Sequence, residues 1–349
     1  MANLNALKVV LSAIDVDYPQ IHVEEIVKDR NLLKLAIKLA KRNGLYYKFI
    51  CSLKEMKVEL PPTEKERWIK EEKGLAEYKK TIELLNKVSN DYGIDYILIK
   101  ECNAVPHIPR DVDIFIRKED RTRLIQALEN NGMTCVISDD AETILRQTEY
   151  IDIEFYTGIN YFGINFIDEG FLLESRVKDK LFGTEYPRLN NESSFLLMLV
   201  HRLFGHRSLS LLDLLYLISL RKNIKDIDVC GGYAEQKGWG KVFNLALKEL
   251  DDIYKKIYQE NKVINFPYLF STQFILKCIT EIDGLKMGRY DRLFIQLSLV
   301  QDGILCRLNN TVLYKMLKSF NPARNAANAW FRFIKSKRGD KAVRTQGKN

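Results

Sequence analysis

Glycine (18) and proline (8) are sparse in this chain of 349 residues, which excludes collagen-like, linker-like and low-complexity architectures. The six cysteines (Cys51, Cys102, Cys135, Cys230, Cys278, Cys306) are scattered and form no CxxC pair, so neither a zinc ribbon nor a disulfide scaffold is signalled. They read as buried or incidental thiols of a reducing compartment. Only four histidines are present, without ligand spacing, which argues against a zinc site. No uncharged apolar run is long enough to span a bilayer, and the first residues lack the basic start of a signal peptide. A cytoplasmic protein with no membrane partner is the expectation. No internal repeat is visible.

What is present is an ordinary globular composition, 46% hydrophobic and 29% charged, which excludes general disorder. The length suggests roughly two domains. Of the net charge of +8, six units lie in 332–349, which carries seven basic residues and one acid. The body is therefore near neutral, and a nucleic-acid footprint, if there is one, sits in the tail. Trp330-Phe331-Arg332-Phe333 ahead of that tail mixes aromatics with cations. Such a mixture can stack on RNA, though it more often marks a packed helix end.

The chain divides by texture. Residues 1–92 read as a helical region. Asn31–Arg42 has helical apolar spacing and closes at Gly44. Pro61-Pro62 breaks the chain, and Thr63 with Glu66 three residues on matches a capping box that opens a long helix to Tyr92-Gly93. Residues 93–188 read as an α+β module. Tyr96–Ile99 is a buried strand, Asp111–Arg117 alternates strictly, Asp120 caps a helix closed by Gly132, and 133–138 and 143–147 suggest further strands. Tyr150–Phe155 alternates again, and Tyr161–Ile167 adds an edge strand. Residues 189–337 read as a helical domain, with Phe195–Phe204 and Leu209–Leu220 buried, later helices over 239–258, 271–280, 293–308, 312–320 and 322–337, and a basic disordered tail at 338–349. The expected fold class is α+β, a small mixed sheet flanked by helical regions.

Chemistry concentrates on two strands. In Asp111-Val112-Asp113 the carboxylates share one face, roughly 6.5–7 Å apart, while Val112, Ile114 and Ile116 face the core. Asp152 and Glu154 repeat the pattern opposite Ile151, Ile153 and Phe155. One such pair could be a solvated strand face. Two pairs in one small sheet would be costly unless cations sit between them. Oxygen-only donors of this kind suit Mg²⁺ or Mn²⁺ with substrate phosphates. The apolar helix carrying Asp213 needs a cation for that acid, and His201, Arg202, His206 and Arg207 are the available bases. His22 and His107 read as surface and loop residues.

Ile99-Lys100, then Pro109-Arg110-Asp111-Val112-Asp113-Ile114-Phe115-Ile116, then Ile151-Asp152-Ile153-Glu154 resembles the nucleotidyltransferase superfamily whose fold is shared with DNA polymerase beta. More narrowly, the chain resembles the uncharacterised "nucleotidyltransferase family" proteins, and Asn191-Glu192, 199–207 and 211–214 look like that family's helical segment. The resemblance covers roughly residues 30–220. It implies a Mg²⁺-dependent nucleotidyltransferase moving an NMP from an NTP, ATP among them, to a hydroxyl on an RNA end, a protein or a small molecule. Asp111, Asp113 and Asp152 would be the catalytic metal ligands. Glu154, where relatives often carry His, is a secondary candidate. Lys100, Asn103, Arg110, Arg202 and His206 would contact nucleotide. Where the superfamily carries Gly-Gly or Gly-Ser after the first strand, this chain has Glu101-Cys102-Asn103. Asn103 could donate in place of Ser, and Glu101 would repel phosphate unless it points away. Alternatives are a silent nucleotide- or RNA-binding protein that kept the fold, and a toxin-like enzyme acting on tRNA.

Overall fold

The structure is a computed structural model. It describes residues 2–15, 18, 29–101, 105–138, 143–161, 164–181, 183–260, 262, 264, 268–271, 274–275, 278 and 281–282. The helices expected over 293–308, 312–320 and 322–337, the basic tail, Asn103 and His22 lie outside the described residues.

Among the described residues, three helices lead: α1 (Ala2–Ile14), α2 (Arg30–Arg42) and α3 (Tyr46–Glu55). Asp29 caps α2 by accepting from the Asn31 and Leu32 amides at 2.9 and 3.3 Å. Leu33, Ala36, Ile37 and Ala40 form its buried stripe. The long helix α4 (Pro62–Tyr92) starts differently from the sequence expectation. Pro61 occupies the cap position, no side chain caps the helix, and Thr63 lies inside it. Pro62 in the first turn has no N–H to satisfy and a φ already suited to a helix. The helix ends at Gly93, whose φ of 62° is the left-handed conformation glycine adopts cheaply.

A seven-stranded mixed sheet follows, in the order β3-β4-β5-β2-β1-β9-β8. Its strands are β1 (Tyr96–Leu98), β2 (Asp111–Ile116), β3 (Thr134–Ser138), β4 (Thr143–Arg146), β5 (Asp152–Tyr156), β8 (Arg176–Leu181) and β9 (Thr184–Leu189). The β2–β5 and β1–β9 pairs are parallel and the rest antiparallel. The fold class is α+β, as expected. The hairpin β8–β9 lies in 168–189, where the sequence showed no strand. Segment 161–167 does not edge the main sheet. Instead β6 (Ile159–Tyr161) and β7 (Ile164–Ile167) pair with each other.

Both faces of the sheet are covered. Val112, Ile114, Ile116, Ile153 and Phe155 pack against the second half of α4 and against α5 (Arg121–Asn130). Ile97, Ile99 and Phe115 face a larger core shared with α1–α3 and with helices α6 (Glu169–Glu174), α7 (Asn191–Val200), α8 (Leu211–Asn223), α9 (Ile227–Gln236) and α10 (Gly240–Tyr258). After α7 the chain runs into a π-helical turn, His201–His206, in place of a continued α-helix. Ser208–Leu209 then pairs with Tyr268–Leu269. No described helix is long and apolar enough to cross a membrane.

Candidate active site

The parallel register of β2 and β5 sets Asp111 opposite Asp152 and Asp113 opposite Glu154. All four acids therefore share one face of adjacent strands, as the alternation requires. They are not equivalent. Asp111, Asp113 and Glu154 line a cleft of about 1000 Å³ between this face and the π-helical turn. Asp152 is taken by Arg146 of β4, whose Nε lies 3.0 Å from both carboxylate oxygens while a terminal nitrogen lies 2.6 Å from one. This is bidentate neutralisation from the solvent side.

Crowding marks the three acids that face the cleft. Burial first, and the neighbouring Asp113 second, push the carboxyls of Asp111 and Glu154 above the usual range. Lys100 answers part of this charge. It follows β1 with a φ of 67°, a left-handed conformation that costs a lysine about 1 kcal/mol or more. In that conformation its Nζ donates to Asp113 Oδ1 at 2.8 Å and to the Tyr156 hydroxyl at 2.7 Å, and lies over the Tyr156 ring.

Glu101 is buried beside them, also lining the cleft. Burial, then the charges of Asp113 and Asp111, push its carboxyl up to about 8, with Tyr78 opposing. Burial thus favours its protonated form, which would lessen the repulsion toward phosphate expected from the sequence.

The remaining sequence candidates sit around the same cleft. Arg110 is exposed at its edge, just before β2. Arg202 reaches the cleft while pairing with Asp213 at 2.8 Å, the cation that this buried acid was expected to require. Asp213 also closes a capping box with Ser210 at the start of α8. His206 is exposed on the opposite wall, its ring edge-on to His201. The cleft also holds residues the sequence left unassigned. Tyr161 meets His201 Nδ1 at 2.6 Å, and Tyr156 seats Lys100. Tyr156 was within reach, since it continues the alternation of Asp152 and Glu154. Tyr161 and Arg146 carry no signal along the chain.

Among the described residues, no three His, Cys, Asp or Glu side chains form a ready metal cage. The chemistry of the donor set nonetheless fits a hard divalent cation. Asp111, Asp113 and Glu154 offer only oxygens, and their mutual repulsion marks a negative charge that Lys100 alone does not cancel.

No protein-family model matches the chain, and no protein of curated function matches it. Among solved structures, it is similar to the lincosamide antibiotic adenylyltransferase LnuA in its lincomycin-bound crystal structure. The likeness spans 42% of this chain and 97% of that one, at 16% identity and a TM-score of 0.31.

Proposed function

We propose that this protein is a divalent-cation-dependent nucleotidyltransferase that moves an NMP from an NTP to a hydroxyl acceptor. The observation that carries the reading is the set of three carboxylates, Asp111, Asp113 and Glu154, gathered by strand register at the floor of one cleft beside Lys100. The motif resemblance of residues 99–116 and 151–154 points the same way.

Asp111 and Asp113 are the residues that would hold Mg²⁺ or Mn²⁺, with Glu154 as the third carboxylate in preference to Asp152, which Arg146 occupies. When bound, the cation supplies charge neutralisation at the triphosphate. Arg110, Arg202 and His206 ring the cleft and would steady the phosphates. Glu154, facing the same cleft beside Asp113, would also serve as the general base. It takes the proton of the acceptor hydroxyl. The freed oxygen bonds to the α-phosphorus, the bond from phosphorus to the bridging oxygen breaks, and pyrophosphate leaves. A volume of about 1000 Å³ is at the upper end of single-ligand pockets, with room for nucleotide and a compact acceptor together.

The test is incubation of the full chain with each α-labelled NTP, Mg²⁺ or Mn²⁺, and fractionated cell extract. Label enters a product with the wild type and not with Asp113→Ala. Should no NTP label anything, while NTPs with Mg²⁺ still raise the melting temperature in an Asp113-dependent way, the protein is a silent nucleotide binder. No labelling and no stabilisation would end both readings.

A further inference from the structure

The wall facing the carboxylates is built around one hydrogen bond. Tyr161, on the β6–β7 hairpin, lies 2.6 Å from His201 Nδ1 at the start of the π-helical turn. His201 is 8% exposed, and it lines the cleft. Two features hold the pair in place. A π-turn carries an extra residue per turn and recurs at functional sites. Here it brings Gly205 against the pair, and a Cβ at that position would meet Tyr161 Cε1 at 3.0 Å, its hydroxyl at 3.1 Å and His201 Nδ1 at 3.2 Å. A side chain there would press on both partners and shift them by a few tenths of an ångström. The cluster is also electrically tied to the floor opposite. Burial first, then Asp113 and Glu154, raise the Tyr161 phenol, and burial, then Lys100, His206 and Arg202, lower the proton affinity of the His201 imidazole.

The direction of this bond follows the imidazole tautomer, and a Tyr161 hydroxyl that donates to Nδ1 requires Nδ1 to be the bare, accepting nitrogen. The hydrogen of the neutral imidazole then sits on Nε2. We infer that His201 is an uncharged hydrogen-bond donor to a phosphoryl oxygen of the nucleotide, with Tyr161 as the positioning residue that fixes its tautomer. This rests on the nucleotidyltransferase reading. A fixed, desolvated donor aimed at developing charge stabilises a transition state without reorganising. An uncharged donor adds that stabilisation without holding the leaving pyrophosphate as a cation would.

The chain has four histidines, so ¹⁵N-histidine labelling of the full chain gives a small spectrum in which His201 is assigned by substitution. The expected result is a neutral Nε2–H tautomer at pH 7 that becomes a tautomer mixture in Tyr161→Phe. Adding the four α,β-methylene NTPs with Mg²⁺ shifts the His201 Nε2 signal with at least one of them. In turnover, Tyr161→Phe lowers kcat about tenfold with KM little changed, the worth of one well-placed hydrogen bond. His201→Gln, whose amide can donate from near the Nε2 position, keeps more activity than His201→Phe.

An Nδ1–H tautomer overturns the inference. So does a His201 signal that stays still while the analogue moves His206 or His107, an outcome that leaves nucleotide binding intact. If no analogue moves any histidine and none raises the melting temperature, the nucleotidyltransferase reading itself has failed and takes this inference with it.

Discussion

Two carboxyl groups are buried to nearly the same depth on opposite sides of the cleft, and the protein treats them in opposite ways. Asp213, on the helical side, is 3% exposed and is met by Arg202 and by Ser210. Glu101, at the sheet floor, is 6% exposed and faces other acids. The first arrangement pays for burying a charge with a cation and a cap. The second avoids the charge by keeping the proton. Where the fold needs rigidity it pairs its acid, and where the cleft gathers negative charge the nearest buried acid is neutral.

The largest effect is expected on the paired side. Asp213→Ala strands the Arg202 guanidinium and removes the Asp213 half of the α8 capping box, and should cost about 3–5 kcal/mol in urea unfolding. Replacing both partners with apolar residues should recover most of that loss. A loss under about 1 kcal/mol for Asp213→Ala would mean the pair is incidental, and the contrast with Glu101 would collapse.

The unpaired side should show itself through pH. The folded-state value of Glu101, about 8, lies above the unfolded value of 4.5. Its contribution is thus fully present below pH 4.5 and is lost as pH rises through 8. Glu101→Gln mimics the protonated form and carries no such loss. The variant should match the wild type near pH 4.5 and exceed it progressively above, by at most about 5 kcal/mol beyond pH 8. Parallel stability curves over that range would show that Glu101 is charged and compensated after all.

Reading this site from the sequence succeeded where the information is local. The alternation of Asp111–Ile116 and of 151–155 placed both acid pairs on the faces they occupy, and the apolar setting of Asp213 called for the cation that Arg202 provides. It failed where partners come from elsewhere in the chain. Arg146 meets Asp152 because β4 is the antiparallel neighbour of β5, and nothing in 143–147 reveals that pairing. The β8–β9 hairpin was missed because Arg176–Leu181 is an edge strand with charged side chains on both faces, which imitates a loop. The π-turn was missed because His201–His206 continues the helical apolar pattern of α7. Only the close approach of Tyr161, across the chain, shows why Gly205 stands there.

Asp152 offers a third treatment of an acid and the smallest effect on stability. Its partner Arg146 is largely in solvent, so Arg146→Gln should leave unfolding unchanged within error. The consequence lies in activity. With Asp152 held by Arg146 and Glu154 lining the cleft, Asp152→Asn should leave nucleotidyl transfer within about threefold of wild type, while Glu154→Gln should lower it at least about a hundredfold, as loss of a general base does. The reverse ranking would return the third-carboxylate role to Asp152, directly opposite Asp111 in the register. Arg146 would then be a counter-ion that the incoming cation must displace, and Arg146→Gln would lower the Mg²⁺ concentration at half-maximal rate. An unchanged Mg²⁺ requirement in that variant keeps Asp152 outside the reaction and leaves Glu154 as the acid that β5 contributes.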